Sequence, residues 1–153
     1  MLLALSEIEK LQRAMDKHQA EIKMSLDLGL TLQNVKLREG KALFPDGEKL
    51  DLHKIKRLDA NSCYVIQDDG LVKAQIYSEG TRRHYKLVPT KDWPTVTISG
   101  VPMHQKTRVT PQEDAHEKTS AVEIHGVVLD TCTGLGYTAI LAAQKAERVV
   151  SVE

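Results

Sequence analysis

Apolar residues recur every three to four positions across residues 6–23, where Leu5, Ile8, Leu11, Met15 and Ile22 fall on one side of a predicted amphipathic helix. Ser6 and Glu9 stand at its start with the spacing of a capping box. His18 lies beside the apolar stripe as a boundary residue. The period then changes. Leu26, Leu28, Leu30 and Leu32 alternate with polar residues and predict a half-buried strand over 25–33. Val35 and Leu37 move to the other parity, so a bulge or turn is expected near Gln33-Asn34. Turns follow at Glu39-Gly40 and Asp46-Gly47. Two readings stay open next: Asp51 caps a short helix through Leu58, or Leu50-Asp51-Leu52 is strand.

Residues 63–88 predict a meander, with strands over 63–66, 71–78 and 82–88 and turns at Asp68-Asp69-Gly70 and Glu79-Gly80. A further strand over 95–99 breaks at Gly100 and Pro102. Thr110-Pro111-Gln112-Glu113 opens a helix through about Val122, with Thr as cap and Glu at the third position. The last stretch reads as one unit. Val127-Val128-Leu129 is a short β-branched run, and 137–147 is rich in helix formers. Residues 148–152 are β-branched again, so strand, glycine turn, helix and strand follow in a β-α-β order.

These elements divide the chain into an N-terminal helix (1–24), a β-rich region (25–108) and the β-α-β unit with its leading helix (109–153). With 41% apolar residues among 153, there is material for one domain or one and a half. Twenty-one basic and twenty-one acidic residues cancel, leaving no global field for nucleic acid or an anionic membrane. Locally, Lys73, Arg82, Arg83, His84 and Lys86 form a basic patch with Tyr77 and Tyr85 among them. Nucleic-acid binding uses such interleaving, and edge strands use the same cations against aggregation. Cys63 and Cys132 have no metal or redox spacing and fit a reducing cytosol. The start meets Glu7 and Glu9 too soon for a signal peptide.

The chemistry concentrates at Asp130-Thr131-Cys132-Thr133-Gly134-Leu135-Gly136-Tyr137 and at Glu153. Gly134-Leu135-Gly136-Tyr137-Thr138-Ala139 fits a dinucleotide fingerprint, with an acid roughly 20 residues after it. In that fingerprint the first glycine follows almost directly on the strand. Here Thr131, Cys132 and Thr133 intervene, and Asp130 would repel pyrophosphate. A carboxylate at the turn suits an ammonium or hydroxyl donors instead. S-adenosylmethionine offers both and carries no phosphate, so the spacing favours it over a nicotinamide dinucleotide.

The run from Val128 to Thr138 resembles the first motif of the Rossmann-like S-adenosylmethionine-dependent methyltransferases. Its wording is especially similar to an archaeal family of predicted methyltransferases related to spermidine synthases. That resemblance implies that Gly134 and Gly136 lie under the methionine part of the cofactor and that Glu153 grips the ribose hydroxyls. It also implies a seven-stranded sheet with helices on both faces, of which this chain would hold the first two strands. The expected fold is thus an α+β N-terminal region followed by an incomplete α/β Rossmann-like domain, a truncated methyltransferase inactive alone and prone to self-association.

Ile98-Ser99-Gly100 and Ala115-His116-Glu117 stand where spermidine synthases carry Leu-Asp-Gly and Tyr-His-Glu. The missing Asp, Gln and Tyr count against aminopropyl transfer, which remains the alternative within the same fold. A non-catalytic binding or nucleic-acid module is the third reading. His104, Glu113 and His116 are the polar residues placed to reach the pocket from the helix side. No catalytic base and no metal site stand out.

Overall fold

A computed structural model describes residues 1–26, 31–104 and 107–153. Leu28 and Leu30 of the expected strand over 25–33 lie outside the described residues. The chain divides into two compact units, Met1–Pro89 and Thr90–Glu153.

The first unit begins with strand β1 (Leu2–Leu3) and helix α1 (Leu5–Asp16). Helix α1 buries Ile8, Leu11 and Ala14 as the apolar spacing requires, but both of its ends differ from expectation. At the start, the Glu7 carboxylate accepts the Ala4 backbone N–H at 3.2 Å, while Glu9 pairs with Arg13. Ser6 donates its hydroxyl to Glu7 and does not cap. At the other end, His18 adopts φ 53°. His18 N–H donates to Met15 C=O and Gln19 N–H to Ala14 C=O, which is a Schellman closure. Ile22 therefore falls on a strand.

That strand is β2 (Glu21–Met24), followed by β3 (Gln33–Arg38), β4 (Lys41–Leu43) and β5 (Lys49–Asp51). They form a four-stranded antiparallel sheet in sequence order. Val35, Leu37, Ala42 and Leu50 point into the core with Leu3, Ile8, Leu11 and Phe44. Asp51 answers both open readings: it ends β5, and its carboxylate caps a 3-10 turn (Leu52–Lys54) through His53 N–H.

Strands β6 (Tyr64–Gln67) and β7 (Gly70–Lys73) join β1 in a second antiparallel sheet. The single strand expected over 71–78 is two, because Ala74 is a corner. Its N–H bonds Cys63 C=O at 2.8 Å and its C=O accepts Leu87 N–H at 2.9 Å. Beyond it, β8 (Gln75–Ser78) pairs with β9 (Arg83–Val88).

Asp59 organises the loop before β6. Its carboxylate accepts Ser62 Oγ at 2.7 Å, Asn61 N–H at 2.9 Å, Lys73 Nζ at 3.1 Å and Lys86 Nζ at 3.3 Å. The Ser62 and Asn61 bonds, then Lys73, hold this carboxyl far below the ordinary carboxylate range.

The second unit contains β10 (Thr95–Ile98), β11 (Val101–Pro102), α2 (Pro111–Ser120), β12 (Val127–Asp130), α3 (Tyr137–Ala142) and β13 (Arg148–Ser151). Strands β10 and β11 form an antiparallel hairpin, and β12 pairs with β13 in parallel. Helix α2 carries the expected capping box between Thr110 and Glu113. Helix α3 ends five residues before the expected Glu147. A small core joins Trp93, Ala115, Tyr137 and Leu141, with Leu135 packed against it.

This architecture corrects the expected fold class. Among the described residues the protein is β-rich, with several antiparallel sheets and three short α-helices, and the one parallel pairing there is β12 with β13. Two strands and a six-residue crossover helix do not make a Rossmann-like α/β domain, whose central strands need neighbours and helices on both faces. Among the described residues, no helix is long and apolar enough to cross a membrane.

A carboxyl whose pKa is depressed by folding stabilises above its unfolded value and loses that contribution as pH falls. Stability of the first unit should therefore drop below about pH 4. Asp59→Asn is expected to be less stable at neutral pH and to show a flatter acid limb, followed by urea denaturation with circular dichroism. Equal acid sensitivity in both proteins would assign the effect elsewhere.

Candidate functional site

The acid–glycine–acid set predicted from the sequence is assembled at one end of β12 and β13. Register places Asp130 beside Ser151. The Asp130 C=O accepts Val152 N–H at 2.9 Å, so the parallel pair continues to the edge of the turn. Both carboxylate oxygens of Asp130 are engaged locally. One accepts Cys132 N–H at 3.2 Å and the other accepts Thr138 Oγ at 3.0 Å, which ties the turn to the first turn of α3.

The turn is also bound to the end of β13. Thr133 donates its N–H and its hydroxyl to Val152 C=O, at 3.2 and 3.1 Å. The Glu153 carboxylate accepts Gly134 N–H at 2.7 Å. Gly134 and Gly136 have φ 53° and 78°, in the left-handed region that disfavours side chains. Gly136 N–H closes back on Thr133 C=O at 2.7 Å. A Cβ at Gly134 would meet Met103 Sδ at 2.9 Å, so the absent side chain also admits this methionine.

The remaining predicted residues divide by environment. Thr131 and Cys132 are exposed. Leu135 and Tyr137 face the core of the second unit. Tyr137 donates its hydroxyl to Pro94 C=O at 2.7 Å, and its ring lies 4.8 Å from Trp93 and 5.4 Å from His104.

His104 thus joins the turn region through Tyr137. Its Nδ1 lies 3.0 Å from Thr95 Oγ1, and burial lowers its pKa, favouring neutral imidazole. His116 is exposed, with its ring 6.2 Å from Trp93. Glu113 accepts Thr110 N–H at 2.9 Å, and these bonds with Thr110 hold its carboxyl below the ordinary range. Its carboxylate is therefore engaged in capping α2.

Met103, Thr138 and Trp93 were missed by sequence reasoning. Thr138 had a usable signal, because a hydroxyl in the first turn of the helix can reach back to the strand-ending acid. Met103 had none, since its approach depends on tertiary placement.

The turn over 130–138, with the Glu153 carboxylate that reaches it from the end of β13, presents two carboxylates and backbone donors and carries no cation of its own. Such a set can hold an ammonium or accept from hydroxyls, and it would repel phosphate. Tyr137 supports it from below. Tyr137→Phe removes the donor to the buried Pro94 C=O and should cost about 1–3 kcal/mol. Urea unfolding followed by fluorescence of Trp93, the sole tryptophan, reads this unit directly. An unchanged midpoint would show that the bond contributes nothing.

No protein-family model matches the chain. An uncharacterized protein of Methanocaldococcus jannaschii is 41% identical to it over 140 residues, covering 87% of this chain and 47% of that protein. The chain thus spans about half the length of the curated relative it matches. These findings give the resemblance to Rossmann-like methyltransferases and spermidine synthases no support, and the antiparallel architecture overturns it. The physical reason is the reach of the motif: a strand, glycine turn, helix and acid dictate one local unit, and say nothing about the sheet around it. What the comparison establishes is similarity to an uncharacterized archaeal protein along most of this chain.

Proposed function

We propose that the β12–α3–β13 segment holds S-adenosylmethionine and that the protein acts in methyl transfer. The observation that carries this reading is the 2.7 Å contact between Gly134 N–H and the Glu153 carboxylate, which sets an acid against a glycine turn 19 residues earlier. Glu153 is exposed, and one oxygen engaged by Gly134 leaves the other to accept from a vicinal diol. Asp130 fixes the turn through Cys132 and Thr138 and adds negative charge suited to an ammonium. The transferable methyl group is the cofactor's own chemistry. This chain's residues bind and orient it. A reducing cytosolic setting, which suits two free cysteines, belongs to the same reading.

Titration of S-adenosylmethionine against the nitrogen-15-labelled chain should shift the Gly134 and Gly136 amides. Glu153→Gln keeps an acceptor for Gly134 N–H but removes the charge, whereas Asp130→Ala also loosens the turn. Each should weaken binding by about 1–3 kcal/mol, a factor of roughly 5 to 150. Unmoved glycine amides at millimolar cofactor, or undiminished affinity in both variants, would reject the assignment.

The proposal extends to self-association through the face of β12 opposite α3. Val127 and Leu129 alternate onto that face and are 70% and 62% exposed, with Val150 paired beside Leu129. A second copy would cover them. Sedimentation velocity should show concentration-dependent association that Leu129→Lys suppresses. A monodisperse monomer at high concentration would contradict it.

A further inference from the structure

The first unit carries a separate surface whose chemistry is independent of the methyl-transfer reading. After the 3-10 turn the chain runs through Lys54, Lys56 and Arg57, which line an open groove of about 330 Å³ with Asp59 and Lys73. Lys56 and Arg57 are exposed, and among the described residues neither has a salt-bridge partner. Lys54 lies 3.8 Å from Asp51, so it is already partly neutralised. Asp59 receives both Lys73 and Lys86 on one oxygen, a single acid between two cations. The groove is locally cationic in a chain whose formal charge is zero.

Strand register extends this surface onto the β8–β9 hairpin. Gln75 pairs with Lys86 and Tyr77 with His84. Direct partners, and residues two apart, share one face of an antiparallel pair. Tyr77, His84 and Lys86 therefore lie on one face, and Lys86 on that face reaches Asp59 at the groove wall. Tyr77 is 52% exposed. Its aromatic ring thus lies on the same face as the lysine that meets the groove.

We infer that this face binds single-stranded nucleic acid, with Lys56 and Arg57 meeting phosphates in the groove and Tyr77 stacking on a base. Phosphate contacts without a ring would suit any polyanion. An exposed ring beside cations favours a strand whose bases are unstacked, because base–aromatic stacking needs a free π-face. A duplex keeps its bases stacked and leaves Tyr77 without a role.

The test uses the full chain and a fluorescein-labelled oligouridylate of about twelve nucleotides, within the range of single-strand site sizes. Anisotropy is followed at several salt concentrations, with an RNA duplex and polyglutamate as competitors. Single-strand binding should weaken with salt by about 0.7 log units per log unit for each phosphate met. Lys56→Ala with Arg57→Ala should lower that slope by about 1.4. Tyr77→Ala should reduce affinity about fivefold or more at an unchanged slope, while Tyr77→Phe retains binding. Circular dichroism shows whether each variant is folded, and the slope change in the lysine–arginine variant stands whatever Tyr77→Ala does to the hairpin. No binding, equal competition by duplex or polyglutamate, or full affinity in a folded Tyr77→Ala would overturn the inference.

Discussion

Left-handed backbone at a few positions fixes where this chain reverses, and the rest of the structure depends on it. Glu39-Gly40, Asp68-Asp69 and Ser99-Gly100 each carry positive φ at both residues. They close two-residue hairpins between Arg38 and Lys41, Gln67 and Gly70, and Ile98 and Val101. Two positive φ values match a turn twist that suits paired strands. Because side-chain period in a strand is two, a turn one residue longer would send Val35 and Leu37 to solvent. The core of the first unit therefore depends on turns that contribute no apolar surface themselves. His18 applies the same constraint to a helix.

This constraint explains what could be read from the sequence. Glycine pairs such as Glu39-Gly40 announce a reversal, and those turns were legible. His18 and Asp69 take the same conformation without a glycine, at a steric cost that the surrounding bonds offset. The Schellman bonds at Ala14 and Met15 supply that compensation for His18, so the helix stops at Asp16 although the apolar period of the sequence runs on to Ile22. Ala74 illustrates a second limit. Nothing in Leu71-Val72-Lys73-Ala74-Gln75-Ile76 marks a corner, because the corner arises from bonds to Cys63 and Leu87, distant in sequence. Capping at Thr110 was legible because donor and acceptor stand three residues apart.

The glycine turn shows the same division at the site. Asp130, Gly134, Gly136 and Glu153 were legible as a set, and the structure brings them together through backbone and carboxylate bonds. Their immediate environment was not legible. Tyr137 reads as part of a cofactor loop, yet its ring packs between Trp93 and His104 and its hydroxyl meets Pro94. An aromatic beside a functional turn commonly fastens that turn to a core, since its ring contributes most of the apolar area in a small unit. The wider fold was beyond reach for a related reason. Motif residues constrain their own strand and helix, and neighbouring strands are chosen by residues elsewhere.

The β12–β13 pair also shows how the chain's own residues fix a parallel register. Parallel strands lack the short hairpin that fixes antiparallel register, so a crossover must supply it. Helix α3 has only six residues, too few to be stable through its own backbone bonds. Tyr137 and Leu141 anchor it to the core, and Asp130 holds Thr138 at its first turn. Across the strand ends, Val152 binds Asp130, Thr133 binds Val152 and Glu153 binds Gly134. Register is thus set by polar closure at one end of the pair and by aromatic packing under its helix. Both devices use the glycine turn, which makes that turn a structural joint. Any ligand that draws the Glu153 carboxylate away from Gly134 must therefore replace a bond on which the pairing itself relies.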